Sequence, residues 1–154
     1  MFSRDIEFLD KSITSLTIPS YSCKETDNQI IDFSRFTQVK TIEIGDECFG
    51  SVKTFKIDGL NRLKTIKVGI NSFTQNKTYW GNYYDESKSF HILNCGSLES
   101  IQIGEYSFSD FGGDFELKNL PQLQSIQIGT IGSWSTNFYG SSFVIRGIDM
   151  ILNI

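Results

Sequence analysis

Acid–base or nucleophilic catalysis needs a base held against its partner group, and this chain carries one histidine, His91, between Phe90 and Ile92. No G-x-S-x-G elbow, H-E-x-x-H pair, Walker loop or helix-opening G-x-G-x-x-G occurs, and Gly112-Gly113 reads as turn chemistry. Acids gather at Asp46-Glu47, at Asp85-Glu86 and at Asp110 with Asp114, without the alternating ligand spacing of a calcium loop. The three cysteines, Cys23, Cys48 and Cys95, are odd in number, far apart and never in a C-x-x-C pair. They indicate neither a disulfide framework nor a zinc site and read as small core residues. The expectation is a non-enzyme, with no catalytic, cofactor-binding or metal-binding residue assigned.

The residues suited to binding are aromatic. Segment 74–89, TQNKTYWGNYYDESKS, sets Tyr79, Trp80, Tyr83 and Tyr84 among asparagine, glycine and acids, and TIGSWSTNFYGSS adds Trp134 and Tyr139. Tyrosine and tryptophan beside Ser, Gly and Asn offer rigid amphipathic contact area at low entropic cost. Phe111, Phe138 and Tyr139 have a second reading, as plugs of a corner in the core. Asn76-Lys77-Thr78 is a glycosylation sequon in the longer arc, relevant only to a secreted chain.

What must position these residues is a strand framework. The 154 residues are one domain's worth, and 39% apolar against 21% charged is enough core material to fold. There is no alanine, while Ile, Phe, Ser and Tyr are abundant, which disfavours helix and suits strands. Fourteen basic residues spread singly against 18 acidic ones, net −4, leave no electrostatic footprint for nucleic acid. No apolar run approaches the roughly 18 residues of a membrane span, and MFSRDIEFLDKS lacks a signal-peptide h-region, which favours the cytoplasm.

Internal repetition organises the chain. Residues 30–49, 54–73, 89–108 and 114–133 share F-x-I-x-x-L-x-x-L-x-x-I-x-I-G-x-x-S-F, and Ile42, Ile66, Ile101 and Ile126 stand 24, 35 and 25 residues apart. A degenerate copy, SITSLTIPSYSC, precedes them, with Pro19 for the glycine and Cys23 for the phenylalanine. A truncated copy follows, FVIRGIDMILNI, in which Phe143, Ile145, Ile148, Ile151 and Ile154 match the apolar columns. Residues two apart on each alternating stretch share a side, and no single coil encloses its own columns. Stacked at the strand spacing of about 4.8 Å, the columns become buried ladders. The outward columns are then Thr17, Glu43, Lys67, Gln102, Gln127, flanked by Ser15, Thr41, Thr65, Ser100 and Ser125, and, on the other strand, Asp32, Lys56, His91, Glu116, Val144. Gly45, Gly69, Gly104 and Gly129 follow the strand where the chain turns, where glycine can take a positive φ.

The pattern L-x-x-I-x-I-G-x-x-S-F, as in Leu63 to Phe73, resembles a leucine-rich repeat, and its I-G or I-P turn, S-F ending and period resemble the BspA-type repeats. The ninth place holds asparagine only at Asn71, with Tyr21, Glu47, Tyr106 and Ile131 elsewhere, so an asparagine ladder is not expected there. The resemblance covers nearly all of residues 13–154 and implies an architecture rather than a ligand.

The sequence therefore predicts an all-β solenoid with little or no helix: a cap or leader over residues 1–12, then about five and a half coils of about 24 residues over 13–154. The predicted function is a protein-binding module using the loop aromatics, with a glycan as the other ligand class. The alternatives are a structural stretch of a longer solenoid and a polysaccharide-active β-helix. Removing Asn76 to Glu86 returns the 35-residue step to 24, so residues 74–89 read as a binding loop dispensable for the fold. The C-terminal GIDMILNI supplies no polar cap, and self-association through the open last coil is expected.

Overall fold

The computed structural model of the chain describes residues 6, 8–23, 29–75, 83–130 and 135–148. They form an all-β solenoid of ten strands. The I-x-I stretches give β1 (Ser15–Ile18), β3 (Thr41–Ile44), β5 (Thr65–Val68), β7 (Ser100–Ile103) and β9 (Ser125–Ile128), one parallel sheet in that order. The F-x-I stretches give β2 (Ile30–Asp32), β4 (Thr54–Asp58), β6 (Ser89–Leu93), β8 (Asp114–Lys118) and β10 (Ser142–Arg146), the second parallel sheet. The registers Ser15↔Thr41, Thr41↔Thr65, Thr65↔Ser100 and Ser100↔Ser125 give turns of 26, 24, 35 and 25 residues. The described strands thus make four complete coils, β2–β3 to β8–β9, with a half coil at each end, β1 and β10, slightly fewer than five and a half because the first copy supplies only β1.

Alternation decides which side chains enter the core. Leu16, Ile18, Ile42, Ile44, Ile66, Val68, Ile101 and Ile103 are buried between the exposed Thr17, Glu43, Lys67 and Gln102. On the second sheet His91 Nδ1 meets Glu116 Oε2 at 3.2 Å across adjacent strands. Asp32 lies in register with Lys56, yet its carboxylate accepts from the Ser34 backbone N–H at 2.9 Å, closing a local turn instead of reaching along the column.

Two phenylalanine stacks run through the core. Phe55, Phe90 and Phe115 are stacked at 4.8 and 5.0 Å, and Phe49, Phe73, Phe108 and Phe138 at 5.1, 4.6 and 5.0 Å. The stacks meet edge to face, with Phe55 on Phe73 at 5.3 Å and Phe90 on Phe108 at 5.0 Å, the quadrupole-matched geometry of ring pairs. The L-x-x-L segments close each coil with i to i+3 turns, such as Leu63 N to Leu60 O and Leu123 N to Leu120 O.

The turn after the I-x-I strand differs from its sequence reading. Gly129 has φ +70°, but Gly45, Gly69 and Gly104 do not enter the left-handed region. That region is taken instead by Tyr21, Glu47, Asn71 and Tyr106 at the ninth place, and by Phe49, Phe73, Phe108 and Phe138. Each such residue costs about 1–2 kcal/mol of strain, and hydrogen bonds between coils offset it. Glu47 N–H donates forward to Ile70 O at 2.9 Å, while Phe73 N–H donates back to Cys48 O at 2.8 Å. Between them Ser107 Oγ accepts from Ser72 N–H and donates to the Gly69 carbonyl. Ser72 Oγ does the same for Cys48 N–H and the Gly45 carbonyl. In the last turn Asn137 takes this part, its amide donating to the carbonyls of Gly104 and Ser107 at 2.8 Å.

The two ends of the solenoid are unlike. At the first coil Ile6 is buried and Leu9 and Ile13 pack on the core, leaving Leu16 and Ile18 at most 3% exposed. At the last, the equivalent inward residues Ile128, Phe143 and Ile145 are 38%, 55% and 39% exposed.

Candidate functional site

Of the aromatic residues singled out by sequence, Tyr79, Trp80 and Trp134 lie outside the described residues, as do Asn76 of the sequon and the columns beyond Ile148. Tyr83, Tyr84 and Tyr139 are described, and all three are exposed. Tyr84 and Tyr139 come from arcs two turns apart, with the short arc of Gly112 between them, and their rings stand 6.1 Å apart.

Two glycines make that meeting possible. A β-carbon on Gly112 would run into the Tyr84 ring, and one on Gly140, where φ is +83°, would come within 2.9 Å of Tyr84 Cγ. The Tyr84 ring thus lies on a floor of bare backbone, with Tyr139 at its side. Phe111 and Phe138 are buried and plug the corner beneath, whereas Tyr139 is outside the plug.

The long arc is stapled to the fold on both sides. Asp110 Oδ2 accepts from Gln75 N–H where the arc leaves, at 3.1 Å, and from Lys88 Nζ where it returns, at 2.7 Å. Both charged side chains are nearly fully buried, with Lys88 Nζ 5.7 Å from the Phe111 ring centre. Thr74 Oγ1 and Ser109 Oγ are hydrogen-bonded at 2.7 Å on the outgoing side. On the return side Asp85 N–H donates to Asp110 O, and Asp85 O accepts from Gly112 N–H and Lys88 N–H. These contacts divide residues 74–89: Thr74 and Lys88 at its ends are core, and Asp85 is a strand bridge to Phe111. Lys88, after Asp85-Glu86-Ser87, and Asp110, between Ser109 and Phe111, carried no sequence signal of a pair, since the repeat alignment does not bring them together.

Around the site, Asp85 is held below the ordinary carboxylate value by hydrogen bonds from the Ser87 hydroxyl and backbone N–H, with the charges of Lys53 and Lys88 adding to them. Burial pushes the Cys95 thiol up to about 11, and all three cysteines are free and buried. Among the described residues no group of three or more His, Cys, Asp or Glu side chains could hold a metal, and no helix is long and apolar enough to cross a membrane. Among the described residues the ionisable partner of His91 is Glu116, and no nucleophile is bonded to it.

What the arrangement can do is present aromatic surface. A tyrosine pair on a backbone floor, anchored by a buried ion pair, holds its contact area with little left to order on binding. Comparison of the chain with protein-family models, with curated proteins and with solved structures gives no match.

Proposed function

We propose that this chain is a non-enzymatic interaction module that binds a protein through the aromatic residues of its arcs, with the solenoid as the rigid scaffold. The observation that carries this reading is the Tyr84–Tyr139 pair, which joins two arcs into one exposed surface over Gly112 and Gly140. Tyr83 is 65% exposed beside it, and Tyr79, Trp80 and Trp134 belong to the same two arcs in sequence. Tyrosine and tryptophan are the residues in which interface energy concentrates, with truncation typically costing more than about 1 kcal/mol. The repeat pattern shared with BspA-type leucine-rich repeats supports the same reading, since repeat solenoids offer extended binding surfaces.

The test compares proteins retained from the source organism by the wild-type chain, by Tyr84→Ala and by Tyr139→Ala, alongside a glycan array. A partner lost in both variants, with their melting temperatures kept, supports the proposal. Retention that ignores both substitutions overturns it, and selective glycan binding transfers the site to the carbohydrate class.

A further inference from the structure

We propose that β10 is a self-association edge, at which two copies pair their β10 strands antiparallel about Val144 and close each other's open end. The inference is independent of the tyrosine surface.

The first observation is the contrast between the ends. Inward residues of the first coil are covered by Ile6, Leu9 and Ile13, so a second copy cannot simply continue the solenoid head to tail. At the other end β10 is, among the described residues, the terminal strand of its sheet, and its inward side chains Phe143 and Ile145 are the exposed continuation of columns fully buried in the preceding turns. Phe143 extends the Phe115 stack at 4.6 Å and then meets no further ring among the described residues except Phe138 behind it. A five-residue edge with an apolar inner face and a single charge, Arg146, carries little of the protection natural edges show.

The second observation is the charge pattern, which selects the partner and its direction. Register with β8 places Ser142 beside Asp114, Val144 beside Glu116 and Arg146 beside Lys118. One end of the edge is therefore basic and the other acidic. A two-fold axis through Val144 sets Arg146 opposite Ser142 of the other copy, next to that copy's Asp114, and sets Phe143 opposite Ile145 on the inner face. The surface is complementary to itself, as an isologous contact requires, and an aromatic ring meets a β-branched side chain in each cross-strand pair. Parallel pairing in register would instead stack Arg146 on Arg146.

The experiment measures mass by light scattering from about 1 to about 500 µM, the range in which small interfaces associate. The wild-type chain and Ile145→Lys are compared, and Val144→Cys is oxidised mildly. Directly opposed residues of an antiparallel pair have Cα atoms about 4.5–5.5 Å apart, within disulfide reach, and the native cysteines are buried. The expected results are a mass rising toward twice 17.5 kDa, a dissociation constant raised at least about tenfold by the inward lysine, and a disulfide-linked dimer of the Val144→Cys chain. A monomer throughout overturns the proposal in favour of an edge closed within the chain. A dimer indifferent to Ile145→Lys, or a Val144→Cys chain that dimerises without cross-linking, overturns it in favour of another interface. Should Ile145→Lys unfold the chain, the cross-link alone decides.

Discussion

Gly104 sits on the carbonyl of Gly69: a β-carbon at position 104 would overlap that carbonyl group and come within 2.9 Å of Ile70 N. The same holds one coil earlier, where a β-carbon on Gly69 would meet the Gly45 carbonyl carbon at 2.7 Å. These glycines are a column like the isoleucines, set by backbone touching backbone, and backbone cannot rotate away as a side chain can.

Gly104→Ala should therefore destabilise by about 1–3 kcal/mol, in the range of core overpacking. Gly59 is the contrast, with φ +75° and nothing near its missing β-carbon. Asn94 and Asn119 follow the equivalent strands with φ of +53° and +55°. Gly59→Asn should cost under about 1 kcal/mol, since asparagine tolerates this region. Urea titration of the two variants checks the order, and equal losses would refute the close-packing account of Gly104.

Cys95 should be unreactive toward a thiol reagent in the native chain at pH 8, because burial raises its thiol to about 11, with the charge of Asp58 pushing the same way. The unfolded chain ionises this thiol near its ordinary 9.0 while the folded chain keeps it protonated. The proton is thus bound more tightly in the folded state, so this contribution is full below pH 9 and is lost as pH rises toward 11. Cys95→Ser should flatten that loss in a pH series of thermal melts.

Lys88 and Asp110 should behave as a buried pair. Lys88→Met or Asp110→Leu alone leaves the other charge buried and should cost about 3–5 kcal/mol, whereas the double substitution should recover most of that loss. A double-mutant cycle in urea measures the coupling, and additive losses would mean the two charges act independently.

The columns were legible because a solenoid repeats one local problem: each coil must bury the same positions, so the Ile, Leu and Phe of the ladders appear at the period, while Phe111 and Phe138 are buried outside it. What alternation cannot encode is backbone conformation between strands. Glycine serves both positive φ and close approach, and the sequence at Gly45 and Gly69 does not separate the two uses. In the last arc the repeat sets residue 133 at the position of Phe108, whereas Phe138 is a ring stacked on Phe108, because extra residues shift the ladder without leaving a gap in composition. The Tyr84–Tyr139 pair and the Lys88–Asp110 staple occur once each, and a unique contact has no period to reveal it.

The staple divides the long arc into parts with different fates. Replacing residues 76–82 by Gly-Ser-Gly leaves Gln75, Asp85 and Lys88 on Asp110, and halving a loop changes closure entropy by only about 0.6 kcal/mol. That variant should melt within a few degrees of the wild type. Deleting Asn76 to Glu86 restores a 24-residue step, but it removes Asp85, which pairs with Asp110 and Gly112, and Tyr84, which covers the two glycines. It should lose about 1–3 kcal/mol through the broken buried hydrogen bonds. Thermal melts of both variants check this. If the longer deletion is as stable as the shorter, the return strand of the arc does not hold the fold, and the tyrosine floor is an ornament of the loop rather than part of the solenoid.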